Sequence, residues 1–205
     1  MKKAFFACLV IAALVAAGLP LFAAKVGDPA PAFTATDSNG KTVSLSDYKG
    51  KFVVLEWHNN GCPFVLKHYN SGNMQKLQKD ATAKGVVWLV IVSSAPGKQG
   101  YVTAAEANAY MTEKNAVPTA TLLDPEGIVG HAYDSKTTPH MFVIDPKGIL
   151  IYNGAIDDKP TADLADVATA KNYLSQALSE ALAGKPVSEP ATKPYGCTVK
   201  YASGS

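Results

Sequence analysis

The residues of this chain best placed to do chemistry lie between Glu56 and Pro63: an acid, a histidine, a cysteine and a proline, in the order Glu56, His58, Cys62, Pro63. The apolar, β-branched run before them reads as a buried strand, and the segment after them as a helix opening at Pro63, since proline suits the first helical turn. Cys62 therefore stands at a helix start, where unpaired backbone N–H groups and the positive end of the helix dipole favour thiolate over thiol. A thiol so placed is a nucleophile near neutral pH; its plain alternative is a buried cysteine that fills core space or joins a disulfide. Residue types alone leave both readings open.

The composition narrows the setting. Residues 1–24 carry Lys2 and Lys3, then an apolar run with Gly18 and Pro20 as breakers and small residues at Ala23 and Ala24, the pattern of a secretory signal. Residues 4–24 would also nearly span a bilayer if left uncleaved. Export places the protein in a periplasmic or extracellular space, with no stable membrane insertion once the signal is removed. All 19 basic residues are lysines, and removal of Lys2 and Lys3 leaves 17 lysines against 17 acidic residues. A neutral chain without a basic run excludes nucleic-acid binding as a function. Of the three cysteines, Cys8 goes with the leader, leaving Cys62 and Cys197 as a pair whose disulfide would be structural, transient or catalytic.

Strand and helix signals alternate. A β-hairpin turns at Ser38-Asn39-Gly40, followed by buried strands in residues 51–57 and 86–94, a helix broken near Ser71-Gly72-Asn73, a helix opening at Thr103, and a short strand closed by a turn at residues 124–127. Residues 140–154 read as a second hairpin turned at residues 145–148, and residues 168–184 as an amphipathic helix. The expected architecture is α/β, with a partly parallel sheet in one domain over residues 25–184. Residues 185–205 form an extended, proline-marked tail that packs back on the domain, with Tyr195 and Tyr201 as its anchors.

In this order the segments "VGDPAPAF", "YKGKFVVLEW", "GCPF" and "TTPHMFVIDPKG" resemble the redoxin branch of the thioredoxin superfamily, which holds the alkyl hydroperoxide reductase/thiol-specific antioxidant proteins and exported thiol-disulfide oxidoreductases. The resemblance covers roughly residues 26–184. It implies a thioredoxin-like fold, a central mixed sheet flanked by helices, with the first hairpin as an N-terminal extension. It also implies that Thr138-Pro139 is a cis-proline loop beside Cys62, offering backbone groups to a peptide-like or thiol substrate, and that Glu56 is a buried carboxylate able to carry a proton during exchange. Since strand residues alternate, Glu56 facing solvent stays equally open. Trp57, Asn59 and Pro63 complete the expected substrate-binding set, Trp57 as core or site wall.

The chain departs from the family patterns in ways that matter. A thioredoxin-type site has a second cysteine three positions on, where this chain has Val65. The peroxidase pattern places proline and threonine or serine seven and three residues before the cysteine, where this chain has Leu55 and Asn59. It also adds an arginine, which this chain lacks. Lys67 or Lys136 supplies only a point charge in its stead. The first expectation is therefore an enzyme that exchanges thiols and disulfides through Cys62, with Cys197 resolving the mixed disulfide. A permanent Cys62–Cys197 staple is the structural alternative. A thiol peroxidase is the second reading, and a copper-binding or structural module the third, because His58, His68 and His140 would gather near Cys62. Neither a cofactor nor a resident metal is expected. The partners would be protein or small-molecule thiols and disulfides, with reduction by a thioredoxin-like partner.

Overall fold

The computed structural model describes residues 24–202, so all but the last residue of the expected leader lies outside the described residues. Among the described residues no helix is long and apolar enough to cross a membrane. The centre is a mixed sheet built outward from β3 (Val53–Trp57) and β4 (Val87–Val92), in which every residue is buried. Such continuous apolar, β-branched runs suit parallel strands covered on both faces, and β3 pairs with β4 in parallel. β5 (Ala120–Leu123) continues the parallel run beside β4.

The hairpin of β7 (His140–Ile144) and β8 (Leu150–Gly154) lies antiparallel against the other side of β3. It turns where the Asp145 carboxylate accepts hydrogen bonds from the backbone of Lys147 and Ile149. At the opposite edge, β1 (Thr34–Asp37) pairs with both β2 (Thr42–Ser44) and β5. The first hairpin thus extends the main sheet, whose strand order is β2-β1-β5-β4-β3-β7-β8.

The period of two along β3 divides the core. Val53, Leu55 and Trp57 join one apolar cluster with Leu89, Ile91, Leu122, Tyr133 and Phe142. Val54 points to the other face, where Cys62, Val65 and Tyr69 pack with Trp88, Met141 and Leu174. Each large apolar side chain withdrawn this way contributes about 1.5–3 kcal/mol. That second face is covered by α1 (Pro63–Asn70), α2 (Asn73–Thr82), α3 (Ala104–Glu113) and α5 (Tyr173–Leu182). The break between α1 and α2 falls at Gly72, whose left-handed backbone (φ +76°) starts α2.

Two local details differ from the sequence reading. α4 (Ile128–Ala132) follows the turn at residues 124–127, where sequence shows only the turn; its first N–H groups are held by the Asp124 carboxylate. The helix predicted over residues 168–184 begins only at Tyr173, because the Asn172 side chain caps it by accepting from the Ser175 N–H. The residues before it form a separate 3-10 turn, Leu164–Ala168.

The tail runs back across the domain. Residues 190–192 exchange backbone hydrogen bonds with Asn153 of β8. Beyond them β9 (Cys197–Thr198) pairs antiparallel with β6 (Thr137–Thr138) in a small sheet of its own. Tyr201 then stacks on His131 at 4.1 Å and donates to the Ser135 carbonyl at 2.8 Å. Its ring fits against Gly130, where a Cβ would come within 2.4 Å of the Tyr201 hydroxyl.

Candidate active site

Cys62 is the N-cap of α1, with extended backbone (φ −81°, ψ 121°) and Pro63 as the first helical residue. The loop leading into it is fastened by Asn59, whose carbonyl accepts from the Cys62 N–H at 3.0 Å and whose side-chain oxygen accepts from the Gly61 N–H at 2.9 Å. The Asn59 amide nitrogen donates to the Gln99 side chain at 2.8 Å. Asn59 therefore shapes the loop beneath the cysteine, and its donor is already used.

The Cys62 side chain is fully buried, and its thiol donates to the Thr138 carbonyl at 3.0 Å. The Thr138-Pro139 peptide bond is cis. Across the β6–β9 ladder, Thr138 is the register partner of Cys197. Both cysteines are free thiols, and each lies near enough to act on the ionisation of the other. Burial acts most strongly on Cys62 and opposes its ionisation. Hydrogen bonds from the Cys197 thiol, the Thr138 side chain and the backbone of Val65 and Cys197 together outweigh it, so the thiol ionises below its ordinary range. Cys197 moves the other way, pushed up to about 11 by burial and by the neighbouring Cys62. The pair thus holds one thiol that ionises more readily than usual and one that ionises less readily.

Glu56 is fully buried on the Cys62 side of β3. Its carboxylate accepts from the Tyr69 hydroxyl and the Trp88 indole N–H, both at 2.8 Å, and from the Gln78 amide at 3.2 Å. Tyr69 has its own pKa raised well above the phenol range, by burial first and then by the adjacent carboxylate. His58 Nδ1 stands 3.4 Å from the same carboxylate, with the ring edge-on to Tyr69 and Tyr110. Of the two orientations open in the sequence, the buried one holds.

Trp57 is not brought to the site. It points to the opposite face of the sheet, against Tyr133 and Phe142, with its indole N–H on Ser93 at 3.1 Å. His140, opposite Trp57 in register, shares that face: its ring lies 4.3 Å from Phe142 and its Nε2 pairs with Asn153 at 2.8 Å. His68 on α1 is bonded to Asn73 and Tyr195. The expected gathering of His58, His68 and His140 around Cys62 thus gives way to three separate surroundings, because strand alternation and helix pitch send them apart. Among the described residues no group of three or more His, Cys, Asp or Glu side chains is arranged to hold a metal.

The lysines suggested as replacements for an arginine are committed elsewhere. Lys67 is fully buried, donating to the Lys159 carbonyl at 2.7 Å with Asp157 at 3.4 Å, and Lys136 pairs with Asp134 in solvent. Asp157 escaped sequence reading, since "AIDDKP" looks like any polar loop. It is a buried hub: the Tyr195 hydroxyl donates to it, and Lys67 and His68 flank it. With the Tyr195 ring edge-on to Phe64 at 5.9 Å, the hub ties the tail to the helix that begins at Cys62.

Residues 25–174 match the family model described as Redoxin. Among curated proteins, the chain is similar to peroxiredoxin Bcp of Bacillus subtilis (strain 168), 28% identical over 114 residues, covering 54% of this chain and 64% of that protein. It is also similar to the thiol-disulfide oxidoreductase ResA of the same organism, 30% identical over 125 residues, covering 61% of this chain and 64% of that one. Both alignments stop short of two thirds of the relative. Among solved structures, an uncharacterized conserved protein from Geobacillus kaustophilus superposes with a TM-score of 0.75 at 26% identity, covering 88% of this chain and 94% of that one.

Proposed function

The chain belongs to the Redoxin family and has a thioredoxin-like fold, and within that frame we propose that it is an exported thiol-disulfide oxidoreductase with Cys62 as nucleophile and Cys197 as resolving thiol. One observation carries the reading: two free thiols near enough to act on each other, of which Cys62 ionises more readily than usual and Cys197 less readily. In the proposed cycle the Cys62 thiolate attacks a substrate disulfide and expels one half as a thiol. Cys197, losing its proton, then attacks the Cys62 sulfur of the mixed disulfide. The Cys62–Cys197 disulfide forms, the second substrate thiol leaves, and an external dithiol, the role of a thioredoxin-like reductant, restores the pair. Glu56 is the proposed proton carrier, and Thr138, Pro139 and Pro63 frame the thiol. Export rests on the signal-like pattern of residues 1–24.

The similarity to a peroxiredoxin favours peroxide reduction at Cys62 as a second reading. Leu55 and Asn59 at the peroxidase positions and the lack of arginine weigh against it. The deciding experiment follows thiol loss in wild type, Cys62→Ser and Cys197→Ser with a stoichiometric small disulfide and, separately, hydrogen peroxide. Exchange predicts a Cys62–Cys197 disulfide in wild type and a trapped mixed disulfide in Cys197→Ser. A Cys62 that reacts with neither oxidant would overturn both readings, and one that reacts only with peroxide would leave the second.

A further inference from the structure

We infer that His58, with a single water seated beside it, relays protons between the buried Glu56 carboxylate and solvent. The inference rests on the role proposed above for Glu56 as proton carrier, and names the route by which that carboxylate exchanges protons with the outside.

A buried carrier needs an outlet. Glu56 is fully buried, and three of its neighbours only donate to it: the Trp88 indole and the Gln78 amide have no basic nitrogen to take up a proton, and the Tyr69 hydroxyl is itself buried. The neighbour that can both take and give a proton is His58, whose Nδ1 stands 3.4 Å from Glu56 Oε1. A movement of about 0.4 Å closes that gap to ordinary hydrogen-bond length. The ring is held in place for it. The His58 N–H donates to the Ile91 carbonyl at 2.9 Å, and the imidazole lies edge-on to Tyr69 of α1 and Tyr110 of α3, each ring centroid 5.0 Å away.

The far nitrogen of the ring, Nε2, is buried without a hydrogen-bond partner among the described residues, and so is the Tyr110 hydroxyl. Both side chains line one small cavity, with about 10 Å³ of room for a water's centre, the space of a single water. Buried polar groups in folded proteins are hydrogen-bonded in the large majority of cases, so two such groups on the wall of a water-sized cavity mark a water site. Asn60, Gly100 and Val102 also line it and are half-buried, which puts the cavity just beneath the surface. The imidazole thus meets the carboxylate at one nitrogen and the water at the other.

The protons balance over the exchange. In the oxidative half Cys197 loses a proton to Glu56. Glu56 passes it to Nδ1 while the Nε2 proton leaves to the water and on to solvent, which restores the carboxylate and leaves the ring protonated at Nδ1. In the reductive half Cys197 regains a proton from Glu56, Nδ1 returns one to the carboxylate, and Nε2 takes one from the water. Each half leaves the ring in the tautomer that the other half needs.

The test mixes the full chain with a symmetrical chromogenic aromatic disulfide, which releases one thiol when Cys62 attacks and the second when Cys197 resolves. His58→Phe keeps an aromatic ring against Tyr69 and Tyr110 without the nitrogens, and His58→Ala leaves room for free imidazole. In both, the first release is expected at the wild-type rate and the second slowed about tenfold or more, with added imidazole restoring the second release in His58→Ala alone. Tyr110→Phe removes one partner of the water and is expected to slow the second release about threefold; a wild-type rate there would overturn the cavity as the outlet. A second release at the wild-type rate in His58→Phe, with Glu56→Gln slowed, would overturn the relay and leave the carrier standing. A slowed His58→Ala that imidazole does not restore would make His58 a packing residue and also overturn the relay. An unslowed second release in Glu56→Gln would remove the carrier and the relay together.

Discussion

The Cys62 thiol lies 3.0 Å from the carbonyl oxygen of Thr138, the residue that faces Cys197 across the β6–β9 pair. One residue thus touches the Cys62 sulfur and pairs with the strand that carries Cys197.

Removing the Cys197 thiol tests its effect on Cys62. Cys197→Ala is expected to raise the Cys62 pKa by about one to two units, because a hydrogen bond to a charged group is worth about 1.5–3 kcal/mol and one pKa unit corresponds to about 1.4 kcal/mol. Cys197→Ser, whose hydroxyl still donates, stays nearer wild type. The measurement is the pH dependence of Cys62 alkylation, and identical profiles for wild type and Cys197→Ala would show that Cys197 does not act on Cys62.

The Tyr195 hydroxyl joins the tail to Asp157 and His68. Tyr195→Phe keeps the ring against Phe64 and removes only these bonds, so the tail should lift more often. A loss of about 1.5–3 kcal/mol makes Cys62 roughly 10- to 100-fold more reactive toward a bulky maleimide if brief opening limits the reaction. An unchanged labelling rate would mean that the ring alone holds the tail.

Glu56 accepts from three buried donors. Glu56→Gln turns an acceptor oxygen into an N–H₂ facing at least one of them, at a cost of about 1–3 kcal/mol read from the urea midpoint at pH 7. As proposed proton carrier, Glu56 should also support turnover, and the variant's steady-state exchange is expected to fall about a hundredfold. Stability loss with unchanged turnover would leave Glu56 a purely structural group.

His68 and His140 set the acid limit. Both are pushed down to about 4, by burial first; Asp157 opposes the shift and Lys67 adds to it at His68, while Asn153 and Asp134 oppose it and Lys136 adds to it at His140. Between their unfolded value near 6.5 and about 4, the unfolded chain binds more protons than the folded one, so stability falls as pH falls through that window and levels off below it. Each contributes about 3 kcal/mol to the fall. Urea midpoints between pH 7 and 4 should show it, and His140→Gln should flatten the curve by its share; a flat wild-type curve would contradict the buried, neutral state of both rings.

Much of the fold was legible because its signals are local. The all-buried runs of β3 and β4, the Gly72 break, the helix start at Thr103, and the turn at Asp145 each declare themselves within a few residues. So does the placement of Cys62 at a helix start beside Pro63. Period two along β3 offered two faces for Glu56 and Trp57 without saying which face α1 would cover. Docking of α1 gave Glu56 to the cysteine side and sent Trp57 and His140 to the other core. Nor does spacing reveal that Asp157 receives Tyr195, or that Gly196 is pressed on Thr138, since these contacts join segments far apart in the chain. Sequence by itself determined a cysteine at a helix start and the elements around it, because helix starts, strands and turns are set by neighbouring residues. Tertiary structure alone decided that Cys62 meets Cys197, because long-range pairing depends on how the whole domain buries its surface.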